Sequence, residues 1–189
     1  MVCGRHILFI ITRWFLNFEY NQFFGAHFTS AADYSRYLGW YTMAGMAVSL
    51  AVQLLFLNRW VARVGLGWCF SAYHMVLVAV VAAQLVRPSL LTATLARFVE
   101  TDLRMGMRNP LNMMISNEFN RAWRPKVRTL SHGLAVPVAT LVASGMLWMV
   151  VQAHHAQHEP LSLAGKAMML VMCGLLLVTV WRMRRLLPR

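Results

Sequence analysis

Long apolar segments alternate with short polar ones along this chain, and the pattern predicts a series of helices. A helix rises 1.5 Å per residue, so about 20 mostly apolar residues cross a hydrocarbon core about 30 Å thick. Six segments approach that length, and we name them spans A to F: residues 7–28, 38–57, 66–85, 89–115, 134–151 and 163–181. The pattern predicts an all-α membrane protein, with six transmembrane helices forming one domain over residues 1–189.

The composition supports this class. Of the 189 residues, 59% are hydrophobic and 13% are charged. A soluble domain usually carries about 25% charged residues, which it needs to cover its surface. We therefore expect the lipid bilayer to be the main environment of the chain.

The basic residues are concentrated between the spans. A net charge of +12 suggests nucleic acid in a soluble protein, but short basic segments between apolar ones are typical of membrane orientation. Eleven basic residues fall on one side of the six-span arrangement: Arg5, Arg59, Arg63, Arg121, Arg124, Lys126, Arg128, Arg182, Arg184, Arg185 and Arg189. Three fall on the other: Arg36, Arg87 and Lys166. This asymmetry predicts that both termini are cytoplasmic, and it argues against a nucleic-acid partner.

Span D carries a stripe of charge. On a helix, Arg97, Glu100, Arg104 and Arg108 fall within a sector of roughly 80°, with Asp102 about 140° away. An ionised side chain at mid-bilayer costs at least about 2.5 to 3.5 kcal/mol, so we expect the stripe to face protein or water. Glu100 is close enough in sequence to pair with Arg97 or Arg104. Alternatively, the segment from Arg104 onward lies outside the hydrocarbon, with its arginines at the interface.

Span A has a second polar face. Arg13, Asn17, Tyr20 and Phe24 share it at helical spacing. Alternatively, Arg13 lies near the cytoplasmic interface and Asn17 only forms a hydrogen bond to a neighbouring helix. Glu19 lies on a different face, either as an ion-coupled carboxylate or as a member of an interhelical ion pair.

Other candidate sites are weaker. His154, His155 and His158 suggest a transition-metal site or a solvated loop, and His27 and His74 suggest axial haem ligands that nothing pairs. The common hydrolase, zinc-protease, nucleotide-hydrolysing and thiol-redox motifs are absent from the sequence. We therefore expect no enzyme activity, no cofactor and no metal, and the three cysteines do not suggest a disulfide framework.

The order of spans and basic segments resembles a known family of transporters. The relevant stretches are FEYNQFF (18–24), the segment RYLGWYTMAGMAVSLAVQLLFLNRWVARVG (36–65), and RFVETDLRMGMRNPLNMMISNEFNRAWRPKVRTL (97–130). They resemble the C-terminal half of a major facilitator superfamily transporter, most similarly the bacterial and plastid ATP/ADP carrier-like group. The resemblance implies a bacterial inner-membrane antiporter, with the first and fourth spans of each half lining a central cavity. It also implies a second six-helix half, either another copy of the chain or a missing N-terminal half.

These observations lead to one main hypothesis and two alternatives. The main one is half of a secondary transporter that moves an anionic solute, such as a nucleotide or phosphorylated compound, by alternating access. The expected solute-binding residues are Arg97, Glu100, Arg104, Arg13, Asn17 and Tyr20, and the expected ion-coupling residues are Glu19 and Asp102. The alternatives are a non-transporting membrane module or truncated fragment with structural ion pairs, and a haem or metal redox protein.

Overall fold

The computed structural model describes residues 2–118, 124–155 and 163–184, and these residues are almost entirely helical, with no strand among them. The α-helices are α1 (Val2–His27), α2 (Ala31–Ala51), α3 (Asn58–Val64), α4 (Leu66–Val86), α5 (Leu90–Phe98), α6 (Asn109–Glu118), α7 (Arg124–Thr129), α8 (Val136–His155) and α9 (Leu163–Arg184). Three π-helical segments continue them: π1 (Val52–Leu57), π2 (Val99–Arg108) and π3 (Leu130–Ala135). The predicted all-α class is confirmed.

Three helical stretches in the described part of the chain are long and apolar enough to cross a membrane. They are Ala31–Val64, Leu66–Val86 and Gly133–Gln152, which correspond to predicted spans B, C and E. A shorter apolar stretch, Met169–Thr179, lies within span F. Spans A and D are helical, but charged and polar residues interrupt their apolar runs. A bundle of six membrane-crossing helices therefore remains a prediction.

Two connections differ from the sequence-based expectation. The pattern predicts that the whole basic segment 58–65 is the turn between spans B and C, but residues Asn58–Val64 are helical and the chain turns at Gly65. Gly65 has φ of 85°, a conformation that glycine adopts without the clash of a side chain. Between spans D and E, helical structure begins at Arg124 rather than at residue 134, while residues 119–123 lie outside the described part.

Helix α1 lies at the centre of the packed residues. It contacts α5, α8 and α9, and α4 contacts α5 and α9. The largest fully buried side chains come mainly from α1 and α4: Phe9, Phe15, Leu16, Tyr20, Phe24, Phe70, Tyr73 and Leu77. On α8, Ala139 and Ala143 are fully buried, and small side chains at this spacing let two helices approach closely.

The outward faces of α2, π1 and α8 are strongly apolar. Large exposed side chains there include Trp40, Met43, Met46, Leu50, Leu54, Phe56, Leu141, Trp148 and Met149. Soluble proteins rarely expose apolar surface on this scale, and hydrocarbon would cover it without cost. This surface fits helices that face lipid.

Helix α2 and segment π2 approach each other closely at two glycines. A methyl group on Gly45 would come within 2.8 Å of the Asp102 carboxylate carbon, and one on Gly106 within 2.6 Å of the Ser49 main-chain oxygen. Ser49 Oγ donates a hydrogen bond of 2.8 Å to the main-chain carbonyl of Asp102. The two glycines therefore set the distance at which α2 meets the charged segment.

We expect Gly106→Ala to lower the free energy of unfolding by about 1 to 3 kcal/mol, because the new methyl group meets main-chain atoms that cannot turn away. Gly39→Ala on α2 is the matched control. No atom lies within 4 Å of its added methyl group, so the better helix propensity of alanine should leave stability unchanged or raise it by up to about 1 kcal/mol. Unfolding in detergent measures both; equal effects would contradict the close contact.

Candidate functional site

The carboxylate of Glu100 on π2 is held by two side chains of α1. Arg13 Nε donates to Glu100 Oε1, and the two side chains form an ion pair. Tyr20 Oη donates to Glu100 Oε2 at 3.1 Å. The Glu100 side chain is 1% exposed and that of Arg13 is 35% exposed. A buried carboxylate is thus paired with an arginine that reaches the surface.

A chain of hydrogen bonds extends this pair along α1. Asn17 Nδ2 donates to Tyr20 Oη at 2.7 Å, and Asn21 Nδ2 donates to Asn17 Oδ1 at 2.7 Å. Asn21 is exposed, whereas Tyr20 is buried. Three of the four residues predicted to share a face of span A, Arg13, Asn17 and Tyr20, therefore belong to one network with Glu100. The fourth, Phe24, packs against other aromatic rings.

The second acid of π2 is held by α2. Tyr41 Oη donates to Asp102 Oδ2 at 2.5 Å. Thr101 Oγ1 lies 2.9 Å from the same oxygen and 2.6 Å from the Arg97 main-chain carbonyl, and its single hydrogen serves one of these two acceptors at a time. Asp102 is 7% exposed, and no arginine or lysine of the described ranges forms an ion pair with it. Its negative charge is therefore stabilised by hydroxyl groups.

Arg97 is held by aromatic rings. Its guanidinium carbon lies 5.8 Å from the centre of the Tyr20 ring and 5.3 Å from the centre of the Tyr41 ring. Its Nε is buried and has no hydrogen-bond partner in the part of the chain that the structure describes. A cation over an aromatic face is attracted by the ring quadrupole, more strongly where water is excluded. Arg97 is thus a partly desolvated cation without an acidic partner in the described residues.

The other two arginines of the stripe, Arg104 and Arg108, lie on π2 and also contact the protein interior. Arg104 Nε donates to the main-chain carbonyl of Glu100 at 2.8 Å. The guanidinium carbon of Arg108 lies 3.4 Å from the centre of the Phe9 ring, and the residue is 4% exposed. Burial of Arg108 favours the interpretation that the stripe faces protein over the alternative that places it at an exposed interface.

The spacing along span D suggested that Glu100 pairs with Arg97 or Arg104. In the structure its carboxylate pairs with neither of them. The two oxygens of Glu100 are engaged by Arg13 and Tyr20 of α1. Arg97 lies over two tyrosine rings, and Arg104 bonds to the Glu100 main chain. Residues Val99–Arg108 follow a π-helical course, in which main-chain bonds run from i to i+5. Four main-chain carbonyls of this region accept hydrogen bonds from side chains. They are Arg97 from Thr101, Val99 from Tyr73, Glu100 from Arg104, and Asp102 from Ser49.

The remaining candidates lie apart from this network. Glu19 is partly buried on α1 and is not among the groups that contact Glu100 or Asp102. His74 is buried and its Nδ1 bonds to the Phe70 carbonyl at 2.8 Å, while His27 is exposed and stacks on Phe23. These environments explain the two histidines without a haem.

The predicted histidine metal site is largely outside the described residues. His158 lies in the segment 156–162, and the side chains of His154 and His155 are likewise not described. Within the described ranges, no group of three or more histidine, cysteine, aspartate or glutamate side chains is placed to hold a metal ion.

Sequence reasoning did not find Tyr41, Thr101, Gly45 or Ser49. Their only local signal is the spacing of Gly45 and Ser49, small residues one helical turn apart. Comparison of the chain with protein-family models, curated proteins and solved structures finds no match. Function must therefore be inferred from the geometry of this interface.

Proposed function

We propose that this chain is an integral membrane protein that binds an anionic solute and forms half of a secondary transporter. One observation carries the proposal. The carboxylates of Glu100 and Asp102 are engaged by Arg13 and by tyrosine and threonine hydroxyls, so Arg97 and Arg104 have no carboxylate partner among the described residues. An anion is the ligand that this excess of positive charge attracts.

The chemistry of arginine defines the class of solute. A guanidinium presents N–H donors in one plane and binds a carboxylate or phosphate through two parallel hydrogen bonds. Such bonds are stronger in a site of low dielectric constant than in water. A nucleotide or other phosphorylated compound suits two neighbouring arginines, Arg97 and Arg104, and an organic carboxylate would use the same donors.

The proposed location is the bacterial inner membrane, with both termini cytoplasmic. Three helices long and apolar enough to span a bilayer support the membrane assignment, and the uneven distribution of basic residues supports the orientation. The resemblance to the major facilitator superfamily supports an antiporter that works by alternating access.

Such a transporter needs a second six-helix half, because its solute site lies between two halves. The partner in this proposal is another copy of the chain or an N-terminal half supplied separately. The mass of the protein in a native-lipid particle tests it: a dimer or a stable pair of halves is expected, and a lone chain would contradict this part of the proposal.

A second candidate is a membrane module that does not transport, in which the charged side chains only join helices. The pair between Arg13 and the buried Glu100 carboxylate favours it, since such a pair joins α1 to π2 in one register. A purely structural role does not explain why Arg97 and Arg104 carry charges that no carboxylate of the described residues neutralises. For that reason we favour the transporter.

Uptake into liposomes separates the two candidates. Purified protein is reconstituted, and the uptake of labelled ADP, inorganic phosphate and succinate is measured against empty liposomes. For a transporter we expect saturable uptake of at least one of these anions, faster when the liposomes are preloaded with the same anion. Uptake equal to that of empty liposomes for all three would favour the structural module.

A further inference from the structure

Two tyrosines from different helices share one arrangement around Arg97. The ring of Tyr20 lies under the Arg97 guanidinium while its hydroxyl donates to Glu100. The ring of Tyr41 also lies under Arg97, and its hydroxyl donates to Asp102. Each tyrosine therefore joins the arginine to an acid further along the same helical segment.

This arrangement stabilises Arg97 without using its N–H donors. A carboxylate bound directly to Arg97 would occupy those donors and cancel the charge. Aromatic faces attract the cation through the ring quadrupole and leave the N–H groups in its plane unbonded. The buried Nε of Arg97, which has no hydrogen-bond partner in the described ranges, is such a group.

The acids in turn fix the rings. A hydrogen bond from a phenol to a carboxylate is charge-assisted and shorter than a neutral one, and the bond between Tyr41 and Asp102 is 2.5 Å long. With its hydroxyl held, a tyrosine ring has little freedom to turn away from the guanidinium. The two acids thereby act on Arg97 through the tyrosines.

We infer that Tyr41 belongs to the anion site, and that Glu100 and Asp102 are positioning residues which hold Tyr20 and Tyr41 against Arg97. The inference rests on the proposed function, because it takes Arg97 to be the anion-binding group. It gives Asp102 a positioning role in place of the ion-coupling role expected from the sequence. It also brings α2 into a site that the sequence assigned to spans A and D.

The test variant is Tyr41→Phe, which keeps the ring and removes only the hydroxyl that Asp102 holds. Tyr37→Phe is the matched control: Tyr37 lies one turn earlier on α2, and its hydroxyl shares a hydrogen bond with Thr94 of α5. Both variants remove hydrogen bonding between α2 and the continuous segment formed by α5 and π2. Tyr41 bonds to Asp102 and, at 3.4 Å, to Thr101, whereas Tyr37 bonds to Thr94. Tyr37 has no cation contact with Arg97 among the described contacts. Asp102→Asn is a second variant that removes the acceptor charge and keeps the shape.

The measured quantities are the dissociation constants of ADP, inorganic phosphate and succinate for protein in lipid nanodiscs, obtained from the rise of unfolding temperature with anion concentration. Loss of one positioning hydrogen bond should weaken binding in Tyr41→Phe by about three- to tenfold. Asp102→Asn should weaken it in the same direction, and Tyr37→Phe should leave it within about twofold of the wild type. In uptake, the change should appear in KM with the maximal rate retained.

The outcomes separate this inference from the proposed function. If the wild type binds none of the three anions, both are overturned. If it binds one of them and Arg97→Gln abolishes that binding while Tyr41→Phe and Asp102→Asn do not change it, the proposed function stands and the positioning role is wrong. Equal weakening by Tyr41→Phe and Tyr37→Phe would show a general effect of loosening α2, and would also overturn the inference.

Discussion

Glu100→Ala is expected to destabilise the protein more than any other single substitution considered for this interface, by about 2 to 4 kcal/mol. The change removes a carboxylate that is 1% exposed, leaves Arg13 without its ion-pair partner and leaves the Tyr20 hydroxyl without its acceptor. The buried Tyr20 hydroxyl loses its acceptor where water is excluded, whereas Arg13, which is 35% exposed, keeps part of its hydration. Unfolding by sodium dodecyl sulfate in mixed micelles measures the difference.

Two further variants are compared with Glu100→Ala in the same unfolding measurement. Glu100→Gln keeps an acceptor for Tyr20 and should cost less than Glu100→Ala, because only the charge is lost. Asp33→Asn changes an exposed acid in the first turn of α2 and should alter stability by less than about 1 kcal/mol. If Glu100→Ala were as mild as Asp33→Asn, the carboxylate would not be the anchor that joins α1 to π2.

Arg97→Gln is expected to abolish uptake of the transported anion while the protein still inserts and folds. Loss of a charged partner in a desolvated site costs about 2 to 5 kcal/mol, which corresponds to an affinity about 30-fold weaker or more. Glutamine cannot replace the cation over the Tyr20 and Tyr41 rings. Arg104→Gln should have the same effect, because Arg104 supplies the second guanidinium without a carboxylate partner in the described residues.

The control for Arg97→Gln is Arg87→Gln, which changes an exposed arginine at the end of α4. This variant lowers the net charge of the protein by the same amount, but it changes no residue near Glu100 or Asp102. Uptake should therefore stay at the wild-type level. Elution as a single species in detergent confirms that each variant is folded. Unchanged uptake in both Arg97→Gln and Arg104→Gln would remove these residues from the site.

The helical organisation could be predicted from the sequence because it depends on local hydrophobic pattern. Each of the six predicted spans lies almost wholly in helical structure, and the turn of the chain at Gly65 follows from the one residue there that tolerates positive φ. The number of membrane-crossing helices could not be fixed in this way. Spans A and D carry charges that pair with one another, Arg13 with Glu100, and hydrophobicity alone cannot distinguish such helices from those of soluble proteins.

The polar face of α1 could also be predicted from the sequence, because Arg13, Asn17 and Tyr20 follow helical spacing. The partner of Glu100 was not, because Arg13 lies 87 residues away in the sequence and meets it only through the packing of α1 on π2. Tyr41 was missed for a similar reason. Its bond to Asp102 spans 61 residues and depends on the close approach of α2 and π2, which no local pattern encodes.

The proposed function requires that Arg97 faces a water-accessible site for an anion rather than a dry contact between helices. Reaction of Arg97→Cys with an anionic, membrane-impermeant thiol reagent tests it, in a background where Cys3, Cys69 and Cys173 are replaced by alanine. Ala96→Cys is the control, because Ala96 is 0% exposed in the packed interior. We expect position 97 to react much faster than position 96; equal, slow reaction at both would contradict the proposal and leave the arginine with a structural role.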